Sequence, residues 1–164
     1  VSAGRTNRDH ALLIDTVGTA RLTGTIFDGK RRTEYVHGEA TSSTKGSAGY
    51  PEIIERMAAA ATVVIPLADP SALSGLTEIA DAAALGVPVV VTRNDVMPYD
   101  IVGSGAGVTV DAGNRSALIA GIDSASAMDE PAARRALATA FNLDAYQELL
   151  LTVLRGQRNI HSMD

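Results

Sequence analysis

The chain has 164 residues, 46% hydrophobic and 20% charged, with a formal net charge of -5 and a pI near 5.1. That length and composition fit one domain with an aliphatic core, while the acidic balance excludes a general nucleic-acid surface, which needs a basic patch tracking phosphates. The lack of Cys excludes a disulfide framework and a thiolate metal site, and no stretch is long and apolar enough to span a membrane. His10, His37 and His161 make no ligand pattern. With no charged-then-apolar leader, the expected location is the cytoplasm. The chain opens at Val1 in what reads as the middle of a strand, which points to a piece of a longer polypeptide.

The opening "VSAGRTNRDHALLIDTVGTA" reads as a strand end, a glycine turn and a helix capped by Thr6 or Asn7 and stopped by Gly18. "RLTGTIF" and "TEYVHGE" read as short strands around the basic turn "DGKRR", and residues 40–49 as a loop of small residues. Pro51 opens a helix whose apolar face precedes a buried strand at 62–67. Residues 75–85 read as a helix ended by Gly86, "VPVVVT" as a strand buried on both faces, and "GVTV" at 107–110 as another strand. From Asn114 onward three helical stretches follow, with Pro131 and Asn142 near their junctions. The alternation predicts an α/β fold, a Rossmann-like, doubly wound open parallel sheet with helices on both faces. It covers residues 1–157, and 158–164 form a flexible tail.

Ligands of such sheets sit outside the carboxyl ends of the strands. There, "AGRTNRD" sets Gly4, Arg5 and Arg8 at a strand-to-helix turn, where free amides, a helix dipole and planar guanidiniums suit a diphosphate. The same arginines also read as solvated residues at a helix start. Glu78 and Asp81 share one helix face, where a carboxylate can accept two hydrogen bonds from a ribose diol, or stand as exposed helix charges. The apolar surroundings of Ala80 to Leu85 argue that an acid here needs a partner.

Two other stretches carry less. The loop "RNDVMPYDIVGSGAG" offers Asn94, Asp95, Pro98, Tyr99 and Asp100 either to a ligand or to turn geometry, with no third oxygen that would make Asp95 and Asp100 a metal site. "DGKRR" reads as a hairpin turn with solvated charges.

In order along the chain, "AGRTNRDHALLID", "AAAATVVIPL", "LTEIADAAALGVPVVVT" and "MPYDIVGSGAGVTVDAGNRSALIAGI" resemble the C-terminal, nucleotide-sugar-binding half of GT-B glycosyltransferases of the retaining type. The most specific piece is "DAAALGVPVV", followed at the right distance by "PYDIV" and "GVTVDAGN". The resemblance implies that Arg5 and Arg8 hold the donor diphosphate and stabilise it as it leaves, with the Gly4 backbone close by. It puts Asp81 on the ribose and Glu78 at the same mouth. Gly75, Leu76 and Thr77, at the helix start, turn their amides to the diphosphate or sugar. Where the family has a first Glu near the sugar, this chain has Leu73, and the second is shortened to Asp81.

The donor implied is a UDP-, GDP- or ADP-sugar, with no metal required and no other cofactor. The acceptor, a glycan or lipid, would be held by an N-terminal domain that this chain lacks, at the inner face of the membrane if that half makes such a contact. A reading of another class is a flavodoxin-like or receiver-like module that binds a ligand or partner without catalysis. A receiver, however, needs an acidic cluster where the first turn carries arginines. A non-hydrolysing sugar epimerase would need catalytic acids and a His that have no counterpart here.

Overall fold

Two runs that carry no charge form the interior of the sheet in the computed structural model, which describes residues 1–46 and 48–128. With labels in chain order, they are β4 (Val63–Ile65) and β5 (Val89–Thr92), paired in parallel, and β6 (Gly107–Val110) adds to β5 in the same direction. Every residue of β4 and β5 is buried, as strands covered on both faces require.

The first three residues continue this layer. The Val1 nitrogen donates to the Thr62 carbonyl at 2.8 Å, and the Val1 carbonyl accepts the Val64 N–H at 2.8 Å. On the other side Ser2 donates to the Thr25 carbonyl at 3.0 Å, and Phe27 donates back to Ser2 at 2.9 Å. The segment thereby links the parallel strands to an antiparallel set, β1 (Gly24–Phe27), β2 (Arg31–Val36) and β3 (Glu39–Lys45), ordered β1–β2–β3. The fold is α/β with a mixed sheet.

Alternation along the central strands sorts the core into two faces. Val63, Ile65, Val89 and Val91 meet Met57 of α2 (Tyr50–Ala58) and Ile79, Ala82 and Ala83 of α3 (Leu76–Leu85). Val64, Val90 and Val110 meet Leu13 and Val17 of α1 (His10–Thr19) and Leu118 and Ile122 of α4 (Arg115–Ser126).

The expected doubly wound parallel sheet is thus corrected in part: β4, β5 and β6 are parallel, while the strands around the "DGKRR" turn, itself read as a hairpin, are antiparallel. The link between β1 and β2 is too short for a crossover, so the chain can only return antiparallel. Of the expected loop at 40–49, residues 40–45 are strand, because His37 and Gly38, both at positive φ, form a two-residue turn that folds β3 back on β2. All of β3 is exposed, so its Ser and Thr residues carry no alternation from which a strand could be read.

At α1 neither Thr6 nor Asn7 is the cap. Asp9 accepts the Leu12 N–H at 2.9 Å, while Asn7 exchanges two hydrogen bonds with the backbone of Asp69, and the helix runs past Gly18 to Thr19. The two helices expected beyond residue 128 and the tail lie outside the described residues. Among the described residues no helix is long and apolar enough to cross a membrane.

Gly107 is where β6 approaches β5 most closely, and a Cβ there would overlap the Val89 carbonyl oxygen. Gly107→Ala is expected to destabilise the protein by about 1–3 kcal/mol through overpacking against backbone. A thermal melt followed by circular dichroism should record a drop of several degrees; an unchanged midpoint would contradict this packing.

Candidate functional site

The turn that leaves the first strand segment is built around Gly4. Its φ of +128° suits glycine, and a Cβ there would lie 2.5 Å from Arg8 Nε and 2.6 Å from Glu78 Oε1. This absence of a side chain lets Arg8 fold back beneath the turn. Arg8 Nε donates to the Ala3 carbonyl at 3.3 Å, Nη1 to the Thr6 carbonyl at 2.9 Å and to Ser74 Oγ at 3.0 Å, and Nη2 to Glu78 Oε1 at 2.6 Å. The two side chains of the ion pair are only 3% and 15% exposed.

Helix α3 starts opposite. Gly75, at φ +88°, precedes it, since a Cβ would press on Ile65 Cγ2 at 2.9 Å. No side chain caps the first turn, so the amides of Leu76 and Thr77 are left to water or an anion. One turn beyond Glu78, Asp81 Oδ1 accepts the Tyr50 hydroxyl at 2.5 Å. That hydrogen bond is the main cause that raises the Tyr50 phenol above its ordinary pKa, with desolvation and the carboxylate charge adding to it.

Between these walls lies a cavity of about 520 Å³. All the sequence-predicted positions line it: Gly4, Arg5 and Arg8 from the turn, Gly75, Leu76, Thr77, Glu78 and Asp81 from the helix. Leu73 lines it too and is 53% exposed. None of Asn94, Asp95, Pro98, Tyr99 and Asp100 is in its lining. Asn94 instead ties its loop to the Ala72 carbonyl at 2.8 Å, and Asp100 caps a turn by accepting the Gly103 N–H at 2.8 Å.

Two lining residues were not legible as site residues. Arg31 opens β2, and the sequence reads it only as part of a solvated turn, yet that turn sits at the carboxyl end of β1 and faces the same mouth. Tyr50 reads only as the residue before Pro51. The signal for Arg31 lies in the topology: a strand parallel to the first segment must end beside it, so the turn that follows shares the cavity. Its neighbour Arg32 is engaged differently, in an ion-pair group with Glu52 and Glu34.

The cavity therefore divides by charge. Arg8 and Glu78 compensate each other, Asp81 is held by a neutral hydroxyl, and the guanidiniums of Arg5 and Arg31 have no hydrogen-bonding or ionic partner among the described residues. Such a site suits a ligand with an anionic end and a hydroxyl-bearing end. No protein-family model matches the chain, and no curated protein matches it.

Glu78→Ala leaves a guanidinium buried without its counter-ion and is expected to cost about 3 kcal/mol. A double-mutant cycle with Arg8→Ala, by urea unfolding, should give strong coupling; additive losses would refute the pair's role. Asp81→Asn removes the charged acceptor from Tyr50, so one tyrosine should titrate at lower pH than in the wild type, which ultraviolet absorbance can follow. No change in the tyrosine titration would mean that the contact is absent in solution.

Proposed function

We propose that this chain is the donor-binding domain of a GT-B glycosyltransferase, a Rossmann-like unit that holds a nucleoside-diphosphate sugar. Joined to an acceptor-binding domain, it would transfer the sugar to a glycan or lipid. The observation that carries the reading is the convergence of an unpaired Arg5, the uncapped start of α3 and the Asp81 carboxylate on one cavity at the carboxyl ends of parallel strands. Doubly wound sheets bind nucleotides in that position.

In this reading Arg5 meets the diphosphate as charge develops on the leaving oxygen, and the amides of Leu76 and Thr77 add fixed dipoles. The Arg8 charge is offset by Glu78, so Arg8 serves as a positioning residue that holds Gly4 and α3 in register. Asp81 exchanges the Tyr50 hydroxyl for the two ribose hydroxyls. Glu78 lines the mouth without facing the ligand as a free acid.

Calorimetric titration of the chain with UDP, GDP and ADP at low salt tests this directly. One nucleotide should bind saturably. Arg5→Ala should weaken it by about tenfold or more, the size of a lost charge-assisted contact, and Asp81→Ala by about tenfold or less. Equal binding by both variants, or binding of none of the three nucleotides, would overturn the proposal.

A further inference from the structure

We infer that Arg31 is the second cation of the anion site and that it acts with Arg5, from the same rim of the cavity, on the diphosphate. The inference rests on the proposal that the cavity takes a nucleoside diphosphate, and it names which side chains hold the charged part.

The argument begins with an account of donors. Arg8, which the sequence pairs with Arg5, has Nε and both terminal nitrogens directed at protein oxygens, and its charge is met by Glu78 at 2.6 Å. It has little left to offer a ligand. A diphosphate carries more than one negative charge, and a single guanidinium would leave much of that charge uncompensated in a partly desolvated cavity. Among the described lining residues the remaining cation without a partner is Arg31.

The geometry brings the two arginines to one place. Asp28 donates from its N–H to the Arg31 carbonyl at 3.0 Å, which closes the hairpin turn. Gly29, inside that turn at φ +82°, leaves room for Arg5: a Cβ there would lie 2.6 Å from Arg5 Cγ. The stem of Arg5 is therefore laid across the turn that carries Arg31, and among the described residues no carboxylate is paired with either. Two like charges on one cavity rim repel each other, and a bound polyanion would relieve that repulsion. Their planar donor forks can each take oxygens of one phosphate, which favours a diphosphate over a single phosphate.

The test is calorimetry of the full chain with inorganic pyrophosphate, inorganic phosphate and UDP, GDP and ADP, at low salt. Arg31→Ala should weaken pyrophosphate and the preferred nucleoside diphosphate by about tenfold or more and narrow the preference for pyrophosphate over phosphate. Arg31→Lys should recover only part of the loss, because an ammonium cannot form the fork. Lys30→Ala, next in the chain but not in the cavity lining, should leave binding unchanged. The melting midpoint of Arg31→Ala should match the wild type, since the side chain has no partner to lose.

If Arg31→Ala binds pyrophosphate as the wild type does while Arg5→Ala does not, the inference fails and the donor-binding reading stands. If Lys30→Ala weakens binding as much as Arg31→Ala, the effect is general surface charge and the inference fails as well. If the wild type binds neither pyrophosphate nor any nucleotide, the reading fails and takes the inference with it.

Discussion

A buried ion pair between Arg8 and Glu78 fixes the turn after the first strand segment to the first turn of α3. Burying two charges is costly and is repaid only where geometry is good and the other donors are satisfied. Here Arg8 also meets backbone carbonyls and the Ser74 hydroxyl, so desolvation leaves little of it unpaired. The pair explains why Gly4 sits at positive φ with no room for a Cβ, whereas at Gly75, also at positive φ, it is Ile65 beneath the helix start that leaves no room. Gly4 lets the turn backbone approach the ion pair and Gly75 lets the start of α3 approach the strand layer, and the cavity lies between the two.

Once Arg8 and Glu78 have neutralised each other, the field in the cavity is set by what remains. Arg5 and Arg31 stand on the side of the hairpin, and Asp81 stands along α3 with the Tyr50 hydroxyl against it. A chain with net charge -5 would repel anions at long range. For the proposed ligand, attraction would then be short-ranged and local, through guanidinium forks and helix amides, and it would fall as salt screens the exposed arginines.

Legibility from sequence follows how far each feature depends on neighbours in the chain. The strands at 63–65 and 89–92 were legible because burial on both faces leaves an unbroken apolar run, and α3 because glycine brackets it at both ends. Strand β3 was not, because an exposed edge of Ser and Thr has no face to reveal. The site was half legible. Gly4, Arg5, Glu78 and Asp81 are open to two readings from local pattern and are singled out by the family resemblance, whereas the pairing of Arg8 with Glu78 spans 70 positions, and only folding decides which arginine is left unpaired. Arg31 belongs to the cavity through sheet order alone. The antiparallel hairpin that broke the expected parallel pattern is also what carries it there.

The Tyr50–Asp81 contact bears on how affinity and orientation divide. Asp81 already accepts a hydroxyl, from a tyrosine 57% exposed at the start of α2. A ligand diol that replaces it exchanges one hydrogen bond for two, so the net gain is small, of the order of one ordinary hydrogen bond, about 1 kcal/mol. The arginines have no such bond to give up, and whatever they gain from a phosphate is offset only by lost water. In the proposed donor site, affinity then comes mainly from the hairpin side, and Asp81 chiefly fixes which way the ligand points. Orientation matters more than strength for an acid in that position, because the proposed transfer would require the sugar end to face an acceptor-binding domain.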